Sequence, residues 1–209
     1  MRNMINRAIL QKIISDNIFD KFTIKSEPGK RESLSEKELK DLEDMLVKGT
    51  SKKYLDNVLK YFLFTCYTGL RYRDLKELRF VDLKKVMENG IETTMISILM
   101  HKTKELVSIP IIPQAYALIG EIGFMNQKIF RVSVNQVTNR HLKEITKQAK
   151  IEKKITFHSA RHTFAIHCLN SDIPMELIRD LLGHTDIKTT KIYAKYTDNT
   201  KIQCMRKWK

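Results

Sequence analysis

The 36 residues from His158 to Tyr193 read HSARHTFAIHCLNSDIPMELIRDLLGHTDIKTTKIY. The spacing of Ala160, Phe164, Ala165 and Cys168 predicts a helix over 158–170 with one core face. A second helix is expected over 174–182, with Gly183 as its stop. A third is expected over 187–196. The same stretch carries reactive side chains. His158 and Arg161 share a helical face, His184 follows the glycine stop, and Tyr193 comes nine residues later. A guanidinium holds phosphate, an imidazole moves protons, and a phenol can attack phosphorus. Each residue alone also has an ordinary structural reading. His158 could be a packed core histidine, and Tyr193 a half-buried packing residue. His158 and His162 have the i, i+4 spacing of a zinc pair, but Ser159 stands where a zinc protease needs glutamate.

Further upstream, T-G-L-R ends at Arg71, just after Gly69, in a turn that opens a short helix near 72–78. Asp74 lies three residues on, along the same helical face. Residues 93–99 and 106–111 read as strands, and 101–105 as the hairpin tip between them. That tip carries Lys102 and Lys104. His101, His141 and His167 gain no role from spacing. Ser35 and Glu38 form a capping box, followed by a stripe of Leu39, Leu42, Met45 and Leu46. A helix over 53–68 should face Leu59, Phe62, Leu63 and Cys66 inward. Further helices are expected over 113–121 and 133–149. At the start, apolar residues at helical spacing predict a helix over 2–16. Lys25–Arg31, with Pro28 and Gly29, reads as a linker.

A chain of 209 residues suits one sizeable domain, or one plus a piece of another. Three scattered cysteines, Cys66, Cys168 and Cys204, offer no C-x-x-C pair, so buried reduced thiols in the cytosol are expected. No apolar run reaches the length of a membrane span, and Arg7, Lys12 and Asp16 interrupt any signal-peptide core. The net charge of +14, from 38 basic and 24 acidic residues, favours a polyanionic partner through counterion release.

Taken together, T-G-L-R-Y-R-D-L, L-M-H-K-T before a strand ending I-P-I, H-S-A-R-H-T-F-A and L-L-G-H-T-D-I-K-T-T-K-I-Y resemble the catalytic domain of the tyrosine recombinases. These are the integrases of phages and transposons and their chromosomal relatives. The resemblance covers roughly residues 31–196, and the K-T hairpin looks most like mobile-element integrases of the Bacteroides type. It implies an α+β, mostly α-helical fold with a small antiparallel sheet, that of the DNA breaking-rejoining enzymes. It also implies that Arg71 and Arg161 bind phosphate and that Lys102 is the hairpin lysine. His158 and His184 match the two histidines, Tyr193 the nucleophile, and Asp74 an acidic residue supporting the first arginine. Tyr196 and Lys104 are the competing choices; the offset from His184 favours Tyr193, and the Lys-Thr pair favours Lys102.

The implied activity is site-specific recombination through a 3′-phosphotyrosine link, without ATP, metal or other cofactor. Type IB topoisomerase-like relaxation and a non-catalytic DNA-binding regulator are the alternatives. The implied partners are double-stranded DNA, a homotetramer on that DNA and accessory DNA-bending proteins, in the cytoplasm and away from membranes. Residues 1–30 are expected to be a remnant helix and linker of an N-terminal core-binding domain, and 31–209 the catalytic domain. The tail after Tyr196 is expected to pack on a neighbouring subunit, with Met205 and Trp208 as anchors.

Overall fold

The computed structural model describes residues 2–17, 32–186 and 190. The chain divides into two compact units, Met1–Lys30 and Arg31–Lys209. In the first, helix α1 spans Arg2–Leu10, shorter than the expected 2–16. Lys12 turns left-handed (φ 56°), its N–H bonds Ile9 O, and Ile13 N–H bonds Ala8 O. This is a Schellman closure with lysine where glycine is usual.

The second unit is built around one helix. After α2 (Glu36–Lys48) comes α3 (Lys53–Thr68), which packs against α2, α6 (Asn135–Gln148) and α7 (Phe157–Asn170). The capping box is present: Ser35 Oγ accepts from Glu38 N–H at 3.2 Å, and Glu38 Oε2 accepts from Ser35 N–H at 2.7 Å. Val58, Leu59 and every residue from Tyr61 to Cys66 are buried, so α3 is enclosed on all sides rather than along one stripe. Its threonines satisfy themselves locally: Thr65 Oγ1 donates to Tyr61 O and Thr68 Oγ1 to Phe64 O. Helix α7 is also largely buried, with His158 of its first turn exposed. Ala160, Phe164, Ala165 and Cys168 are all buried, as their spacing predicted. Thr163 Oγ1 accepts from Leu34 N–H at 2.9 Å, fastening the segment that enters the unit onto α7.

A three-stranded antiparallel sheet follows in the chain, in the order β1 (Leu83–Glu88), β2 (Ile91–Leu99), β3 (Leu106–Pro110). The two later strands match the sequence expectation. Strand β1 was not anticipated: Lys84–Glu88 are all exposed, so the strand has no apolar alternation to read. It is reached from α4 (Tyr72–Glu77) through a single 3-10 turn at Phe80–Asp82. A two-residue turn at Asn89 (φ 50°) and Gly90 (φ 80°) joins β1 to β2. Helix α5 covers only Pro113–Ala117, ending before the left-handed Gly120 (φ 77°), whereas 113–121 was expected. Helix α8 (Met175–Leu182) packs on β3 and α7. Most of the helix expected over 187–196 lies outside the described residues. Among the described residues, no helix is long and apolar enough to cross a membrane.

Two glycines end the helices that matter most. Gly69 (φ 65°) closes α3 with its N–H on Thr65 O. Gly183 (φ 57°) closes α8 in a Schellman motif, with Gly183 N–H on Asp180 O and His184 N–H on Arg179 O. A Cβ on Gly69 would lie 2.5 Å from Phe164 Cδ1 and 2.9 Å from Leu182 Cδ2. Gly69→Ala therefore combines left-handed strain with overpacking and should lower stability by roughly 2–4 kcal/mol. Urea denaturation would show this as a lower midpoint at constant slope; an unchanged midpoint would contradict it.

Candidate active site

Five of the residues singled out in the sequence have described positions around the meeting point of α3, α7 and α8. Arg161, on the second turn of α7, is only 3% exposed. Its Nη1 donates to Gly69 O at 2.6 Å, at the end of α3. Its Nη2 donates to Leu182 O, at the end of α8, and lies 2.9 Å from His184 Nε2. Arg71, the N-cap of α4, donates from Nη2 to Gly183 O at 3.1 Å. Both guanidiniums thus meet carbonyls at helix C-termini. Those carbonyls lack helical partners and carry the negative end of the helix dipole.

Lys102 reaches the same place from the sheet. The β2–β3 connection closes with Met100 N–H on Glu105 O and Lys104 N–H on Met100 O. Lys104 is left-handed there (φ 59°), and Lys102, not Lys104, lines the cleft with Arg71, His158 and Arg161. Asp74 is 6% exposed, and its Oδ1 accepts from His101 N–H at 2.8 Å. That bond ties α4 to the hairpin that carries Lys102.

His158 is exposed at the cleft, so it is not a packed core histidine. Its ring meets that of buried His162 edge to face, with centroids 4.5 Å apart. Among the described residues, no three His, Cys, Asp or Glu side chains gather in a group able to hold a metal ion. Helix α7 begins with Thr156 N–H on Ser159 Oγ at 3.1 Å. The next orphan amide, Phe157 N–H, is capped by Asn139 Oδ1 of α6 at 2.8 Å. Asn139 and Asn135, one helical turn before it, also line the cleft, and neither carries a sequence signal for that role. A polar residue on an amphipathic helix gives no sign that it caps a different helix. The cleft encloses about 420 Å³, within the size range of small-ligand sites. Tyr193 and Tyr196 lie outside the described residues, as does the tail beyond them.

His184 registers the charge of this site. Its imidazole pKa is lowered to about 4, first by burial and then by the nearby charges of Arg161, Arg71, His158 and Lys102. At neutral pH the ring is therefore uncharged. Its Nδ1 lies 2.9 Å from the hydroxyl of Thr190, which is fully buried. Thr190 is a second residue whose role its sequence position did not disclose.

With the fold and this cleft in place, comparison with known proteins defines the class. Residues 32–200 match the phage integrase family, and the chain belongs to it. A tyrosine recombinase of Thermosipho africanus is 29% identical over 148 residues, covering 68% of this chain and 50% of that protein. The chain spans about half the length of the first curated relatives it matches. The Tn1549 transposon integrase (residues 82–397), solved with circular intermediate DNA, superimposes with a TM-score of 0.62 at 19% identity. That match covers 98% of this chain and 75% of the other. The catalytic domain of bacteriophage HP1 integrase gives 0.60 at 19% identity, covering 86% and 96%. The mostly helical fold with a small antiparallel sheet is that of tyrosine recombinase catalytic domains.

The depressed pKa of His184 has a consequence for stability. Between pH 6.5 and about 4 the unfolded chain binds a proton on this residue that the folded chain does not. Its contribution is therefore complete above pH 6.5 and lost as pH falls through that window. Lowering pH from 7 to 4.5 should reduce the thermal midpoint less in His184→Gln than in the wild type. Equal drops in the two proteins would contradict a neutral, buried His184.

Proposed function

We propose that the unit Arg31–Lys209 cuts and rejoins DNA strands in site-specific recombination, as a mobile-element integrase, through a 3′-phosphotyrosine link. The observation that carries this reading is the convergence of Arg71, Lys102, His158 and Arg161 on one cleft in a phage integrase family chain. These side chains come from the start of α4, the β2–β3 hairpin and α7. The net charge of +14 suits a DNA partner.

The chemistry follows from the charges. A phenol has a pKa of about 10, so only about 0.1% is phenolate at pH 7 and roughly 4 kcal/mol of help is needed. Tyr193 is the nucleophile. Its oxygen attacks the scissile phosphorus while His158 takes its proton. Arg71 and Arg161 stabilise the charge growing on the non-bridging oxygens, with charge-assisted bonds suited to that geometry. His184 bonds a non-bridging oxygen. The bond from phosphorus to the 5′ oxygen breaks as Lys102 protonates that oxygen. A 3′-phosphotyrosyl enzyme and a 5′ hydroxyl result. Attack by the 5′ hydroxyl of a second strand reverses each transfer and reseals DNA. The phosphodiester energy is retained, so the scheme needs no ATP; Arg71, Arg161 and Lys102 take the charge and proton roles that a metal ion would otherwise serve.

The working assembly is a homotetramer on double-stranded DNA, with accessory DNA-bending proteins assisting and the tail beyond Tyr196 docking on a neighbouring subunit. Asp74 serves by holding the Lys102 hairpin. Relatives named as recombinases and integrases favour strand exchange over simple relaxation of supercoils.

A nicked duplex that loses a short fragment on cutting should trap the wild type as an SDS-resistant adduct. Tyr193→Phe should abolish the adduct while DNA binding is retained, and Tyr196→Phe should preserve it. A chelator should leave the yield unchanged. Adduct that persists in Tyr193→Phe and vanishes in Tyr196→Phe would displace the nucleophile, and loss on chelation would remove the metal-free scheme.

A further inference from the structure

His184 lies between two partners whose chemistry settles which ring nitrogen bears its proton. On one side, Arg161 Nη2 is 2.9 Å from Nε2. A guanidinium has only donors, so Nε2 must offer its lone pair. On the other side, Nδ1 is 2.9 Å from Thr190 Oγ1, and this nitrogen must carry the hydrogen of the neutral ring. The hydroxyl oxygen accepts it. Two constraints hold the ring in this orientation from outside. The Schellman closure of α8 fixes the His184 backbone, with its N–H on Arg179 O at 3.0 Å. Thr190 has no solvent exposure, so water does not replace its hydroxyl as the acceptor.

We propose that Thr190 is a positioning residue that fixes His184 in the Nδ1–H tautomer, so that Nε2 faces Arg161 as an acceptor until a phosphate arrives. The proposal deepens the strand-exchange reading and rests on it for its catalytic part. The lone pair on Nε2 is engaged by Arg161. To hydrogen-bond a non-bridging phosphate oxygen, Nε2 needs a proton. The cations around His184 oppose that proton, and an arriving phosphate offsets their field. With Nδ1–H already held by Thr190, the proton taken from solvent can add only at Nε2, the nitrogen beside Arg161. Thr190 thus determines which edge of the ring becomes the donor. It lies three residues before Tyr193 in the sequence, so the stretch that carries the proposed nucleophile also sets the state of His184.

The test is a two-bond proton–nitrogen correlation spectrum of ¹⁵N-histidine-labelled, DNA-free protein at neutral pH, with the His184 signals identified by their loss in His184→Gln. The wild type and Thr190→Ser should show a protonated Nδ1 and a bare Nε2. In Thr190→Val, which keeps the shape and loses the hydroxyl, the ratio of Nδ1–H to Nε2–H should fall by about tenfold, the equivalent of one hydrogen bond. Adduct formation should slow by about tenfold or more in Thr190→Val and recover in Thr190→Ser. A wild type with its proton on Nε2, or a Thr190→Val ratio equal to the wild type, would overturn the proposal. Thr190→Val cutting at the wild-type rate would overturn its catalytic part. The wild-type spectrum decides the matter even if Thr190→Val does not fold. A wild type with the stated tautomer but no adduct would support the positioning role and remove the strand-exchange reading instead.

Discussion

The arrangement of this unit depends on the burial of the Arg161 guanidinium. Bringing a cation out of water costs several kcal/mol unless its N–H groups are satisfied. Here Gly69 O and Leu182 O accept them, which places the ends of α3 and α8 on either side of one side chain. Only a planar fork can meet both carbonyls and the His184 ring at once. The glycines follow from this constraint. Gly69 and Gly183 turn left-handed so that each helix can stop where its last carbonyls face the arginine. Each also lets a neighbour approach closely: Phe164 and Leu182 at Gly69, Val107 and Met100 at Gly183. The family motif G-H is thus a helix stop, a packing contact and the placement of a ring in two residues.

The same constraint assembles the cleft. Arg71 bonds the carbonyl of Gly183, and Lys102 is held nearby because Asp74 fixes the hairpin backbone at His101. His184 stays neutral within this cationic field. An anionic phosphodiester is the natural complement of such a site. Arg161 is a scaffold, and in the proposed scheme also a phosphate ligand, so loss of activity in its variants will mix the two. Variants at Lys102 and His158, whose side chains are exposed, separate chemistry from folding more cleanly.

Much of this was legible in the sequence because the signals were local. The capping box at Ser35, the run 53–68 and the glycine stop at Gly183 rest on short-range backbone chemistry, and all appear in the structure. Strand β1 escaped because its residues face solvent; the Asn89-Gly90 pair, which favours a two-residue hairpin turn, was the signal that could have found it. Helix α1 ends early at a left-handed lysine, a stop that composition does not announce. The roles of Asn139 and Thr190 are invisible for a different reason. Each makes its defining bond to another element, across 18 residues in one case and from outside the α8 stop in the other. For Asp74, helical spacing gives a face shared with Arg71, and its Oδ1 bonds the hairpin backbone at His101. Spacing along a helix gives which residues share a face, not what lies opposite that face.

The central claim is that this cationic cleft serves a tyrosine that becomes covalently joined to DNA. The most direct measurement is mass spectrometry of the peptide that remains bound to DNA after the trapped adduct is digested with protease and nuclease. The account predicts one modified peptide, with Tyr193 joined to a nucleotide through its 3′ phosphate. A modified serine, a different tyrosine or a 5′-phosphate linkage would contradict it.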